Sequence, residues 1–263
     1  MLNRMAGALA VCALLTAGAA VPPASAEPDP AAHPDLVSLT DVDPSISLDI
    51  RYATEHNFTG HRVDGYEAPM CLLARPAAEA LRDAQRDFLG RGYSLKVYDC
   101  YRPQRAVDDF VAWARDLADQ QMKPEFYPRV DKARLFADGY IAEKSGHSRA
   151  STVDLTLVAL PTRPEPDYVA GEPLVDCAAP AGQRFADTSI DMGTGYDCFD
   201  TLAHTLDPRV QGSQLDNRLL LKTGLEQHGF ENYDKEWWHF TLTPEAYPDT
   251  SFDVPVAPSS AQR

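Results

Sequence analysis

Two stretches of this chain carry the side chains that most restrict how it can fold. The first runs Ser145-Gly-His147-Ser-Arg-Ala-Ser-Thr-Val-Asp154-Leu-Thr-Leu157 and sets a His and an Asp seven positions apart. Residues 152 to 158 read as a strand, because β-branched residues alternate with others and turn residues come before them. A loop imidazole followed by a strand carboxylate can meet at one point, and both are good ligands for a borderline divalent metal such as zinc. Alone, such a pair is common by chance. The second stretch, Glu236-Trp-Trp-His239-Phe-Thr-Leu242, adds another imidazole and a carboxylate three residues before it. A catalytic zinc takes three protein ligands, keeps one position for water, and works with a base near that water. His147, Asp154 and His239 fit as ligands, and Glu236 as the base. The fold must then carry His239 to the place where His147 and Asp154 meet. An offset of three puts two residues on opposite faces of a regular strand, so Glu236 must lie at a turn or strand entry. The plain alternative is an aromatic core strand with an exposed Glu.

The N-terminus reads as a signal peptide over residues 1–26. Arg4 gives a positive start, residues 6 to 20 are an apolar run too short to span a bilayer as a helix, and Ala24-Ser-Ala26 is a small-residue cleavage site. Cys12 lies inside the apolar run without the small residue before it that a lipid anchor needs. Residues 27–35 form a flexible leader, 36–255 the main domain and 256–263 a flexible tail. Export is therefore expected, to the periplasm or the extracellular medium, with no membrane span. A net charge of −15 argues against nucleic acid or anionic membrane as a partner, though not against a small zwitterion.

Helices are expected over 75–89, ended by Gly90 and Gly92, and from Pro103 to about 121 with Val107, Phe110, Val111, Ala114 and Leu117 inward. Shorter ones are expected over 130–138 and 217–228. Residues 36–52 read as strand plus turns, 95–98 as a strand that delivers Asp99 and Arg102, and 237–242 as the last strand. Residues 161–186 are Pro-rich and lack periodicity, as an insert or lid-like loop would. There is no internal repeat and no linker.

The ordered motifs resemble a known family. The pattern from Ser145 to Leu157 followed by Glu236-Trp-Trp-His239 is similar to the VanX-type D-alanyl-D-alanine dipeptidases, zinc enzymes of the wider D,D-carboxypeptidase group. The resemblance includes Arg51-Tyr52-Ala-Thr-Glu-His-Asn-Phe-Thr-Gly60, Val63-Asp-Gly-Tyr66, Tyr98-Asp-Cys-Tyr-Arg102-Pro-Gln-Arg-Ala-Val107 and Asp191-Met-Gly-Thr-Gly-Tyr-Asp197, over roughly residues 36 to 255. It implies an α+β single domain, a central mostly antiparallel sheet with flanking helices, and one zinc ion per chain. It implies that Arg102 polarises the scissile carbonyl and stabilises the oxyanion, oriented by Asp99. It implies that Tyr52 and Asp197 hold the free amino group of a small dipeptide, and that Ser145 contacts its carboxylate. Ala150 departs from the family's Gly, a mild change unless the backbone there needs positive φ. His33, His56, His61, His204 and His228 read as surface or structural residues.

Four cysteines remain after cleavage: Cys71, Cys100, Cys177 and Cys198. An even number in an exported chain favours disulfides. Three pairings exist. The preferred one is Cys71–Cys100 with Cys177–Cys198, whose second loop encloses the Asp191 to Asp197 motif.

The expected activity is zinc-dependent hydrolysis of D-Ala-D-Ala to two D-alanines. Two readings compete with it. One is an exported zinc D,D-carboxypeptidase or endopeptidase on cell-wall peptides, which an amine-binding pair in the cleft would block. The other is a non-catalytic zinc protein that binds wall peptides, which needs neither Glu236 nor Arg102.

Overall fold

A computed structural model describes residues 34–262; the expected signal peptide and most of the leader lie outside the described residues. A five-stranded sheet organises them. Its strands are β2 (Ser47–Leu48), β4 (Tyr93–Asp99), β5 (Thr152–Ala159), β6 (Phe230–Asn232) and β7 (His239–Leu242), in the order β2-β4-β5-β7-β6. Only the β2–β4 pair is parallel. A two-stranded antiparallel ribbon, β1 (Leu36–Ser38) with β3 (Leu72–Ala74), lies apart from it. This is the α+β single domain with a mostly antiparallel sheet that the resemblance implies.

Strand β5 is buried from Thr152 to Val158. Alternation sends Val153, Leu155 and Leu157 to one face and Thr152, Asp154 and Thr156 to the other. On β4 the register slips between Val97 and Asp99, and the slip sets Asp99 directly opposite Asp154. A bulge re-aims side chains in this way. Two like charges facing each other across strands are destabilising, so this pair calls for cations close by.

Helix α2 (Arg75–Gly90) buries Ala77, Ala78, Leu81, Ala84 and Phe88, and α5 (Ser213–Glu226) packs beside it. Gly224 makes that approach possible, since a Cβ there would lie 2.3 Å from Phe88 Cζ. Three further helices are α1 (Leu39–Val42), α3 (Gln104–Arg115) and α4 (Lys123–Phe126). Helix α3 stops short of the expected residue 121. Pro103 is its cap and not its first residue, and Asp116 turns extended while its carboxylate accepts from Ala118 N–H. Leu117, expected inward, is 51 % exposed, so no apolar face continues the helix. The helix expected over 130–138 shrinks to a 3-10 turn at Lys132–Arg134, and α5 begins four residues early.

No helix or strand lies between Ala159 and Thr201. This long loop is nevertheless pinned. Glu165 accepts from Lys96 Nζ at 2.9 Å, and Tyr98 Oη donates to Asp187 at 2.5 Å. His56 stacks on Tyr168 with centroids 4.2 Å apart. The structure contains the disulfides Cys71–Cys100 and Cys177–Cys198. The second ties the loop to the residue after Asp197. Each closes a loop of a size that stabilises by about 3–4 kcal/mol in the chain-entropy view.

The tail departs from its expectation. Val256 is buried and accepts from Glu67 and Ala68 N–H, and Gln262 N–H donates to Leu36 O at 2.7 Å. Backbone pairing therefore holds the chain well past 255. No helix among the described residues is long and apolar enough to cross a membrane.

Candidate active site

His147 sits in a 3-10 turn, Gly146–Arg149, that Ser145 caps by accepting the His147 N–H at 3.2 Å. The turn ends at Ala150 with φ 62, a left-handed conformation. The Gly-to-Ala departure thus falls where positive φ is needed, at a cost of about 1–2 kcal/mol. The His147 Nδ1 lies 2.7 Å from Cys100 O. A carbonyl only accepts, so Nδ1 carries the proton and Nε2 presents a lone pair to the site.

Asp154 and His239 are cross-strand partners on β5 and β7, which places their side chains next to each other. Asp154 Oδ1 is 3.3 Å from His147 Nε2 and 3.1 Å from His239 Nδ1, and the two nitrogens are 3.2 Å apart. Oδ1 is buried with no hydrogen bond of acceptable geometry. Two imidazole nitrogens and an orphaned carboxylate oxygen around one point are the donor set of a divalent metal. Burial pushes the Asp154 carboxyl up, but the two imidazoles outweigh it and hold the group well below the usual carboxylate range.

Glu236 lies in the connection between β6 and β7, outside regular strand, as the three-residue offset requires. Its Oε2 is 3.5 Å from His239 Nδ1. Partial withdrawal from water raises its pKa and the Asp154 charge adds to this, while His239 pulls the other way. Arg102 leaves the end of β4 and donates from Nε to Asp99 at 2.9 Å, with Nη2 2.8 Å from the same carboxylate. Its guanidinium lies over the rings of Tyr52 and Phe110, 5.0 Å from each centroid. The facing acids Asp99 and Asp154 find their cation here, since Nη2 is also 3.6 Å from Asp154. Tyr66 completes the Asp99 shell by donating at 2.6 Å.

Tyr52 donates to Asp197 Oδ2 at 2.7 Å, so its proton is committed and its oxygen remains an acceptor. Asp197 is buried, with φ 53. Burial and the Asp154 charge push its carboxyl well above the usual range, against the Tyr52 hydrogen bond. A carboxylate so placed favours a cationic partner. Tyr52, Arg102, Asp197, Glu236, Ser145 and the trio His147, Asp154 and His239 all line one cavity of about 270 Å³. A larger cavity of about 680 Å³ beneath the 160–190 loop has none of these groups in its wall. The two residues that the sequence did not single out are Tyr66 and Tyr196. Both lie inside motifs quoted above, but a bare Tyr has no spacing signature of its own.

The peptidase M15 family described as D-ala-D-ala dipeptidase matches residues 32–163 and 186–257. The gap falls inside the Pro-rich loop. The D-alanyl-D-alanine dipeptidase of Enterococcus faecalis is 38 % identical over 212 residues, 81 % of this chain and 93 % of that protein. That of Streptomyces coelicolor is 37 % identical over 223 residues, covering 85 % and 98 %. That of Enterococcus faecium is 35 % identical over 218 residues, covering 83 % and 96 %. The match runs along most of the chain's length, so the chain belongs to the peptidase M15 family of D-Ala-D-Ala dipeptidases and is a metal-dependent peptidase.

Proposed function

We propose that the chain is a zinc enzyme that hydrolyses the free dipeptide D-Ala-D-Ala to two D-alanines, with one ion held by His147, Asp154 and His239. The observation that carries the metal is the buried, orphaned Asp154 Oδ1 between two imidazole nitrogens. Zinc suits a two-imidazole, one-carboxylate set. When bound, it supplies Lewis-acid charge beside the scissile carbonyl and lowers the pKa of nearby water toward about 7.

The chain's own groups do the rest. Asp197 and the free lone pair of Tyr52 receive the substrate ammonium and set the scissile bond next to Glu236. Glu236 Oε2 takes a proton from water as the water oxygen bonds to the carbonyl carbon, and then gives it to the departing amine nitrogen. Arg102, fixed by Asp99 and packed against the adjoining rings of Tyr52 and Phe110, turns its remaining N–H donors toward the oxyanion.

An unpaired buried charge is costly, so the ammonium is what makes Asp197 a substrate-length gauge. An acylated amine brings no charge to Asp197, and its extra chain must displace Tyr52. Free D-Ala-D-Ala is expected to be cleaved well and N-acetyl-D-Ala-D-Ala poorly, with Asp197→Ala narrowing the gap in kcat/KM. Comparable rates on both substrates by the unmutated enzyme would refute the amine anchor and favour a carboxypeptidase on wall peptides.

We also propose that residues 1–26 direct export, so that the enzyme meets dipeptides and wall fragments outside the cytoplasm. Arg4, the apolar run and Ala24-Ser-Ala26 support this. N-terminal sequencing of protein from the medium or periplasm should begin at Glu27. Active protein found only in the cytoplasm with residues 1–26 intact would sink the idea.

A further inference from the structure

We propose that Tyr196 is a positioning residue that fixes Asp154 for the metal and leaves Tyr52 free to accept from the substrate amine. The proposal rests on the reading of His147, Asp154 and His239 as ligands.

The Tyr196 side chain is buried, and its ring is held by packing alone. It stacks on Tyr98 with centroids 4.4 Å apart at 14°, and meets Trp238 edge-on at 5.5 Å. Its hydroxyl is not needed for that packing. The hydroxyl instead lies 3.1 Å from Asp154 Oδ2 and 3.2 Å from Tyr52 Oη. Together with the Tyr52 bond to Asp197, this makes an unbroken polar chain from the metal ligand to the amine anchor.

Counting protons gives the chain a direction. A phenol has one proton to donate. Tyr52 commits its own to the Asp197 carboxylate. Tyr196 has two acceptors in reach, the Asp154 carboxylate and the neutral Tyr52 oxygen. A charged acceptor forms the stronger bond, so the Tyr196 proton goes to Asp154 Oδ2. Two consequences follow. Asp154 Oδ2 gains its only hydrogen bond among the described residues, since the Arg102 Nη2 at 3.6 Å is beyond hydrogen-bond distance. That locks the carboxylate with Oδ1 turned to the imidazole nitrogens. The Tyr52 oxygen, left without a donor, keeps its lone pair for the ammonium.

Hydrogen bonds to the non-ligating atoms of a ligand orient it, and losing one typically costs about 10–100-fold in metal affinity. Tyr196→Phe keeps the ring and deletes only the donor. Zinc dissociation constants measured on metal-free protein by competition with a chromophoric chelator should rise about 10–100-fold in this variant. Because the variant leaves the buried Asp154 Oδ2 without its donor, its metal-free form should melt below the unmutated metal-free chain by only the few degrees that one buried hydrogen bond accounts for. Activity should fall at limiting zinc and recover most of its kcat when zinc is saturating. Tyr98→Phe is the packing control: it alters the ring stacked on Tyr196, and its hydroxyl bonds Asp187 rather than the site. Its zinc affinity should be unchanged. Equal zinc affinity in Tyr196→Phe and the unmutated protein overturns the proposal. So does an equal loss in Tyr98→Phe, or a metal-free melting temperature in Tyr196→Phe that falls far beyond the cost of one hydrogen bond, so that a damaged fold accounts for the lost affinity. An unmutated chain that takes up no zinc fails the ligand reading itself, and the proposal with it.

Discussion

Replacing Glu236 by Gln should abolish nearly all turnover and leave the bound metal and the fold intact. Gln fills the same volume and offers the same carbonyl oxygen, so the turn between β6 and β7 has no reason to move. Glu236 is not among the three residues whose donor atoms converge; its Oε2 stands 3.5 Å from His239 Nδ1, and the residue lines the same cavity. What the amide loses is the ability to accept a proton. A positioned general base contributes about 10²–10⁴ in rate, and here the same group must also return the proton to the leaving nitrogen. Both half-steps fail together, so kcat should fall by at least that range while zinc content, read by elemental analysis, stays at that of the unmutated enzyme. Arg102→Ala should cost less, on the order of 10²–10³, the scale of one oxyanion donor. A fully active Glu236→Gln enzyme would show that some other group moves the proton.

The residues of this site differ in how far the sequence exposed them. His147, Asp154, Glu236 and His239 are legible because metal chemistry demands particular residue types at particular spacings. The placement of Glu236 in a turn follows from strand geometry alone. Tyr196 and Tyr66 were not legible. Their roles depend on which carboxylate oxygen their hydroxyls reach, and that is decided by tertiary packing. The bulge that sets Asp99 opposite Asp154 is equally silent, because no residue type marks it. Ala150 shows the limit of reading a substitution by its chemistry: the change is small in side chain and large in backbone, since φ is 62. The expectation that α3 runs to about 121 fails for a similar reason. Leu117 continues the helical period, yet there is nothing for it to pack on. Strands β4, β5 and β7, helix α2 and the start of α3 were readable from residue pattern, whereas the mostly antiparallel sheet was implied by the family resemblance. The path of the Pro-rich loop was not, because its anchors, Glu165 on Lys96 and Tyr168 on His56, are contacts distant in sequence.

Removing a ligand should have the largest effect of all, and it should be visible without any substrate. Four carboxyl groups, from Asp99, Asp154, Asp197 and Glu236, line or adjoin the cavity, and among the described residues Arg102 is the cation paired with Asp99 and Asp154, while Lys144 also lines the wall. Burial and the Asp154 charge raise the carboxyls of Asp99, Asp197 and Glu236, the mark of negative charge crowded into a poorly solvated space where like charges repel most. A divalent ion between His147, Asp154 and His239 would offset that repulsion, and should then be bound by the folded chain and not by the unfolded one. Binding of this kind stabilises by about 2.7 kcal/mol once the free ion is at 100 times its dissociation constant. The unmutated protein should therefore carry one zinc per chain, melt at a lower temperature after chelation, and recover on zinc addition. His147→Ala and His239→Ala should each lose the ion and all measurable turnover. Their melting temperatures should resemble that of the chelated parent and no longer respond to chelator. That last comparison separates a lost ligand from a damaged fold, because a variant that merely destabilises would still shift when its zinc is withdrawn. Full metal occupancy in both variants would show that the ion, and with it the reaction, is held elsewhere.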